Sequence, residues 1–237
     1  MNILALDTAS GLCSVALRVG GRTATRELLT ARDHGRELLP MVAALLSEAG
    51  LSLSAVDALA FGRGPGSFTG LRIAASVAQG LAFGAELPVL PVSDLRALAL
   101  QAMDEVPAPT SPCTVLACLD ARMQEVYAAH FEVAPGALPA DAAEQVVSAP
   151  LLVAGLLERY PGPRDGWLGV GKGFGVYADA FAPLGLVAGR VFPEAEPRAR
   201  EIARLGESDF AAGLALPPEA AVPVYLRDKV AQLPRSP

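Results

Sequence analysis

Residues 56–61 form an apolar run, and residues 71–85 a helix-like stretch rich in small side chains. Between them stands Gly62-Arg63-Gly64-Pro65-Gly66-Ser67-Phe68-Thr69-Gly70. Four glycines and a proline in so short a span break both strand and helix, so a tight strand-to-helix connection is forced. Glycine admits positive φ and lets the backbone come close to whatever it touches. Ser67 or Thr69 stands where a residue can cap the following helix, whose first N–H groups favour an anion. Two readings follow, a plain turn or a phosphate cradle. No Gly-Lys-Ser/Thr closes the loop as a P-loop requires, and the glycine spacing differs from the dinucleotide fingerprint.

The chain has 237 residues, 52% of them hydrophobic and 19% charged. That suffices for one large domain or two of roughly 100–120 residues. No apolar run reaches the roughly 18–20 residues of a membrane span, and the start, Met1-Asn2-Ile3-Leu4-Ala5-Leu6-Asp7, lacks the basic opening of a signal peptide. No membrane partner and a cytoplasmic location are expected. The formal net charge of −6 argues against a long RNA footprint, because phosphate contacts draw on basic side chains. Cys13, Cys113 and Cys118 lie in strand-like runs without metal-ligand spacing, so buried reduced thiols are expected.

A strand meander opens the chain at residues 2–7, 13–19 and 22–28, with Gly20-Gly21 as a hairpin turn. A helix is predicted over 34–49, with Asp33 as N-cap, Gly50 past its end and Pro40 giving a kink or a late start. Its apolar positions Leu38, Met41, Val42, Leu45, Leu46 and Ala49 share one face, and Leu39, Ala43 and Ala44 widen that face beyond the needs of one core. The next helix carries Ala74, Ala75, Ala78, Gly80 and Ala82, which suits close helix packing. Residues 106–112 are proline-rich and read as a linker. Beyond it come a hairpin at 114–131, a helix near 151–160, a strand at 167–170, a second glycine loop Gly171-Lys172-Gly173-Phe174-Gly175 and a helix over 198–212. Pro223-Val224-Tyr225-Leu226-Arg227-Asp228-Lys229 closes the ordered part, with fraying beyond it. Two related lobes are expected, 1–106 and 113–237, with the terminal segment free to pack back on the first.

The only histidines, His34 and His130, are far apart and unaccompanied, so no metal site is predicted. His34 reads as a polar residue of its helix's first turn, and His130 as a solvent-facing strand residue. Gly64-Pro65-Gly66-Ser67-Phe68 lacks the closing glycine of a nucleophile elbow. Asp7-Thr8-Ala9-Ser10, directly after the first strand, offers a carboxylate and two hydroxyls. Either this turn holds a magnesium-bound phosphate or Asp7 caps its own backbone.

The Asp7 turn and the Gly62–Gly70 loop join two later strings, Leu119-Asp120-Ala121-Arg122-Met123-Gln124-Glu125-Val126-Tyr127 and Pro223-Val224-Tyr225-Leu226-Arg227. In order and spacing the set resembles the TsaB family, also called YeaZ, of tRNA threonylcarbamoyladenosine biosynthesis. The resemblance implies an α/β fold of the two-lobed actin-like, sugar-kinase-like ATPase (ASKHA) class, with mixed sheets flanked by helices. It implies a non-catalytic, cofactor-free subunit that binds and activates the paralogous transferase TsaD and helps recruit the P-loop ATPase TsaE. A homodimer is a further possible assembly, and tRNA is met only indirectly. In TsaD, the resemblance implies, two histidines after the short strand hold the catalytic metal; here Asp94 and Leu98 stand at those positions. Arg122 and Met123 crowd the second phosphate loop. The Asp7, Thr8 and Ser10 turn is then vestigial, and the loop residues Gly62, Gly64, Pro65, Gly66, Ser67, Phe68, Thr69 and Gly70 fix the entry to a partner-binding helix. Leu39, Ala43, Leu46, Ala74 and Ala78 are the expected partner contacts. The alternative is an autonomous ATPase or peptidase of the same fold.

Overall fold

Alternating runs build two five-stranded sheets of matching plan. The computed structural model describes residues 1–30 and 33–227, and Asp228, Lys229 and the expected frayed end lie outside them. The first half runs β1 (Asn2–Asp7), β2 (Leu12–Val19), β3 (Arg22–Leu29), α1 (His34–Glu48), β4 (Ala58–Gly64), α2 (Phe68–Ala85), β5 (Val89–Ser93) and α3 (Asp94–Asp104). The second runs β6 (Cys113–Asp120), β7 (Glu125–Val133), β8 (Gln145–Ser148), α4 (Ala149–Arg159), β9 (Trp167–Val170), the short α5 (Gly173–Val176) and α6 (Ala178–Phe181), β10 (Val191–Phe192) and α7 (Ala199–Ala211).

The sheet orders are β3-β2-β1-β4-β5 and β10-β9-β6-β7-β8. In each half the first three strands pair antiparallel and the last two add in parallel to the first. Two copies of one plan, joined by the proline-rich segment, give the two-lobed actin-like, sugar-kinase-like architecture. Gly20 and Gly21, with φ of 54° and 83°, make the turn between β2 and β3.

Side-chain alternation divides the first sheet's faces. Leu4, Leu6, Leu59 and Phe61 point to α1 and α2, where Leu38, Val42, Leu45, Leu46, Ala75 and Ala78 meet them. Ile3, Ala5, Ala58 and Ala60 point the other way, to Ile202, Ala203 and Leu205 of α7. These inner residues are small because α7 comes close: a Cβ on Gly206 would lie 2.8 Å from the Ala60 Cβ. The last helix of the second half thus covers the first sheet. Conversely, Leu95, Leu98, Ala99 and Ala102 of α3 pack on Val115, Ala117, Ala129 and Phe131 of the second sheet. Residues 113–237 are therefore continuous in sequence but not in packing, for α7 belongs to the first lobe's core. Leu216 also bridges back to Val89.

Details differ from the sequence expectations. α1 starts at His34, so Pro40 sits exposed within it and no late start occurs. Asp33 accepts from Arg36 and Glu37 through its carbonyl, and its side chain makes no cap bond. His34 is buried, with its Nε2 unpartnered, and His130 is half-buried and hydrogen-bonded to Tyr160 at 3.2 Å. Cys13, Cys113 and Cys118 are free and buried.

One guanidinium ties the exchanged helices together. Arg96 of α3 donates to both carboxylate oxygens of Asp209 in α7, at 2.7 and 2.9 Å, and through Nε to the Pro139 carbonyl at 2.6 Å. Removing one partner leaves a buried charge uncompensated. Arg96→Ala should lower unfolding stability by about 3–5 kcal/mol, read by urea denaturation; a loss within about 0.5 kcal/mol, as at an ordinary surface site, would refute the tie.

Candidate functional site

The glycine loop is built around the turn that follows β1. Ser67 caps α2, its hydroxyl accepting from the Gly70 N–H at 3.3 Å, so the helix begins at Phe68, a turn earlier than its apolar pattern indicates. The Ser67 N–H donates to the Ala9 carbonyl at 2.7 Å, and the Thr8 hydroxyl donates to the Gly70 carbonyl at 2.7 Å. A Cβ at Gly70 would lie 1.8 Å from the Thr8 carbonyl oxygen, and one at Gly66 2.5 Å from that of Ala9. These glycines admit protein backbone. The phosphate-cradle reading is corrected accordingly.

Gly62 admits something different. A Cβ there would lie 2.4 Å from Asp7 Oδ1 and 2.6 Å from Asp94 Oδ1. The two carboxyls are wholly buried and face each other across the glycine. Asp7 Oδ1 accepts from the Ala9 N–H at 3.0 Å, and Asp94 Oδ2 from the Gly64 N–H at 2.6 Å, while Asp7 Oδ2 and Asp94 Oδ1 accept no hydrogen bond from any other group among the described residues. Burial is the main force on both acids, raising Asp7 to about 7 and Asp94 well above the usual carboxylate range; the Asp7 charge raises Asp94 further, while the hydrogen bond with Asp94 pulls Asp7 back down. One shared proton satisfies the pair. Of the two uses open to Asp7, capping its own turn is the one realised.

Over the loop lies the segment 222–227. The Val224 N–H donates to the Arg63 carbonyl at 2.7 Å, next to Gly64, whose φ is 112° and which precedes buried Pro65. Arg72 stacks on exposed Phe68, its guanidinium 3.8 Å from the ring centre, and donates to the Tyr225 hydroxyl at 2.9 Å. Arg227 then reaches Glu125 in the second lobe. Thr69 is exposed.

Between the lobes a cleft of about 860 Å³ is lined by Ser10, Gly11, His34, Phe68, Asp120, Arg122, Lys172 and Tyr225. Its β6–β7 wall carries Arg122, Met123 and Gln124, all at φ between 53° and 63°, a region that side-chain-bearing residues adopt at a cost. Asp120 holds the turn, accepting from the Arg122 N–H and the Tyr177 hydroxyl, both at 2.9 Å. The second glycine loop is packing too. A Cβ at Gly171 would lie 2.3 Å from the Cys118 carbonyl oxygen, and Phe174 is buried against Phe181. At the β1–β2 turn, Ser10 and the Leu12 N–H face Glu196, which pairs with Lys172.

Over 234 residues the chain is 40% identical to the tRNA threonylcarbamoyladenosine biosynthesis protein TsaB of Escherichia coli, covering 98% of this chain and 96% of that one. The chain belongs to the TsaB family. The TsaB of Haemophilus influenzae is 51% identical over 127 residues, 54% of this chain and 52% of its own. YeaZ from Pseudomonas aeruginosa superposes with a TM-score of 0.77 at 41% identity, covering 95% and 99% of the two chains. The family description "TsaD: tRNA N6-adenosine threonylcarbamoyltransferase" matches residues 28–164. That span holds the glycine loop, α3 and the β6–β7 hairpin.

The expected partner contacts divide in two. Leu46, Ala74 and Ala78 are buried within the first lobe, so they are corrected to core residues, whereas Leu39 and Ala43 are exposed on α1. Ala49, expected on the buried face, is exposed. Asp94 and Leu98 are both fully buried, the first in the carboxyl pair and the second in the second lobe's core. Sequence reading missed Glu196 and the Asp7–Asp94 pairing; the acidic pair Glu194 and Glu196 between Pro193 and Pro197 was visible but named no partner.

The carboxyl pair sets a pH dependence of known sign. An acid whose pKa is raised by folding contributes stability that is complete below its unfolded value and lost as pH rises through the folded one. For Asp7 that window runs from about pH 4 to about pH 7. Asp94→Asn keeps an acceptor for Gly64 and offers Asp7 a permanent N–H. Chemical denaturation should find the variant more stable than its parent at pH 8 by over about 1 kcal/mol, with the advantage shrinking towards pH 4; an advantage that grows on acidification would contradict the assignment.

Proposed function

We propose that the chain is a non-catalytic subunit of the tRNA threonylcarbamoyl transferase complex. It binds and activates a TsaD-like transferase and helps recruit a TsaE-like P-loop ATPase, for modification of the adenosine beside the anticodon. Membership of the TsaB family supplies the pathway. The observation that carries the non-catalytic role is the engagement of the β1–β2 turn's donors by Glu196 and of the glycine loop by Thr8 and Ala9. Groups committed to holding the fold are not free to follow a developing charge in a reaction.

The partner surface is assigned to the outer sides of α1 and α2. Leu39 and Ala43 are exposed on the first helix; Ser76, Gly80 and Gly84 are exposed on the second, four residues apart and hence on one face. A Cβ added at Gly80 or Gly84 would meet nothing within 4 Å. Small residues beside exposed apolar ones suit a partner helix at close range.

Reconstitution with the transferase and ATPase subunits, donor and tRNA tests this. Transfer should depend on the chain, which alone should neither hydrolyse ATP nor transfer the group; full transfer without it would refute the role. Leu39→Glu with Ala43→Glu should weaken partner binding at least tenfold, roughly 1.4 kcal/mol or more, with a melting temperature near that of the parent. Leu46→Glu should instead unfold the lobe.

A further inference from the structure

Turns that hold phosphate do so with backbone N–H groups, a hydroxyl and a nearby cation. Ser10 and the Leu12 N–H of the β1–β2 turn, with Lys172 from the second half of the chain, gather a hydroxyl, an N–H and a cation around one carboxylate of the same chain. Glu196 Oε2 accepts from the Leu12 N–H at 3.1 Å, an N–H shared with Ser10 Oγ at 3.2 Å, and Oε1 pairs with the Lys172 ammonium, while the neighbouring Ser10 hydroxyl helps keep the carboxylate charged. The carboxylate is nearly enclosed, its side chain 10% exposed, and Gly11 lies against it, a Cβ there falling 3.7 Å from Oε2. Burial works to raise its pKa, but the hydrogen bonds from Lys172, Ser10 and Leu12 outweigh burial and hold the group below its ordinary value. It is an anion in place.

The carboxylate is also delivered by a fixed backbone. Glu196 lies between β10 and α7, where the Ala195 and Gly171 N–H groups both donate to the Phe192 carbonyl, at 3.3 and 3.0 Å. Gly171 precedes Lys172, so one short network positions both the acid and its cation. The turn belongs to the first lobe, and Lys172 and Glu196 come from the second half of the chain. Ser10, Gly11 and Lys172 line the cleft.

We propose that Glu196 is a built-in anion occupying the phosphate position of the β1–β2 turn, so that Ser10, the Leu12 N–H and Lys172 form a latent phosphate site which the chain keeps closed with its own side chain. One N–H, one hydroxyl and one ammonium converging on a single point match a tetrahedral oxyanion as well as they match a carboxylate. The inference starts from the same Glu196 contact as the non-catalytic role, but its phosphate readout needs no partner protein, so failure of either is seen separately.

The test uses the full chain and inorganic phosphate as the probe, at constant ionic strength, with calorimetric titration and thermal unfolding. The parent should show no saturable phosphate binding. Glu196→Ala should bind phosphate saturably, at least tenfold more tightly than the weakest binding the titration resolves, and gain melting temperature as phosphate is added. Adding Lys172→Ala to Glu196→Ala should abolish that gain. Glu196→Gln keeps the side chain's shape and an acceptor for Leu12 while removing the charge, so it should gain binding to a smaller extent; it carries the test if the alanine variant fails to fold. A folded Glu196→Ala protein with no gain overturns the proposal. So does a gain that survives loss of Lys172, or a Glu196→Gln protein indistinguishable from the parent.

Discussion

The contact on which the rest of the molecule depends is backbone against backbone, where Gly70 meets Thr8 and Gly66 meets Ala9. No side chain fits there: the space at Gly70 ends 1.8 Å from a carbonyl oxygen. From this contact follow the start of α2, the direction of the β1–β2 turn and the placing of Gly62 over two buried acids. Asp7 and Asp94 then link the ends of β1 and β5 through a shared proton, with β4 between them. A burial that would be costly for two charges becomes tolerable for one carboxylate and one carboxylic acid.

The second constraint is the exchange of helices. Because α7 covers the first sheet and α3 the second, neither half of the chain completes its core alone. The Arg96–Asp209 pair, the Leu12–Glu196 contact and the segment 222–227 then cross between the halves at separate points. What the molecule offers outwards is helix surface, on α1 and α2.

Much of this was legible in the order of residues. The strand runs, the hairpin at Gly20-Gly21, the Ser67 cap and the linker at 106–112 all carry local signals, since a turn, a cap or an alternating strand is decided by neighbours a few residues away. The helix faces were only half legible. Periodicity ranked Leu46, Ala74 and Ala78 with Leu39 and Ala43, because a wide apolar face says that burial occurs without saying against what. Only the position of the sheet behind α1 and α2 separates the two groups.

Sequence by itself determined the family, the repeated strand plan and the punctuation of the chain, because each rests on short strings with fixed spacing. Tertiary structure alone decided what the glycines are for and which acid meets which cation. Glycine records only that room was needed; the occupant of that room, Thr8 and Ala9 at one end and two carboxyls at the other, comes from strands brought together by pairing. Glu196 lies 184 residues from the Leu12 N–H it accepts from. No local pattern encodes a contact of that span, since it exists only once β10 and α7 have carried the carboxylate back to the first turn.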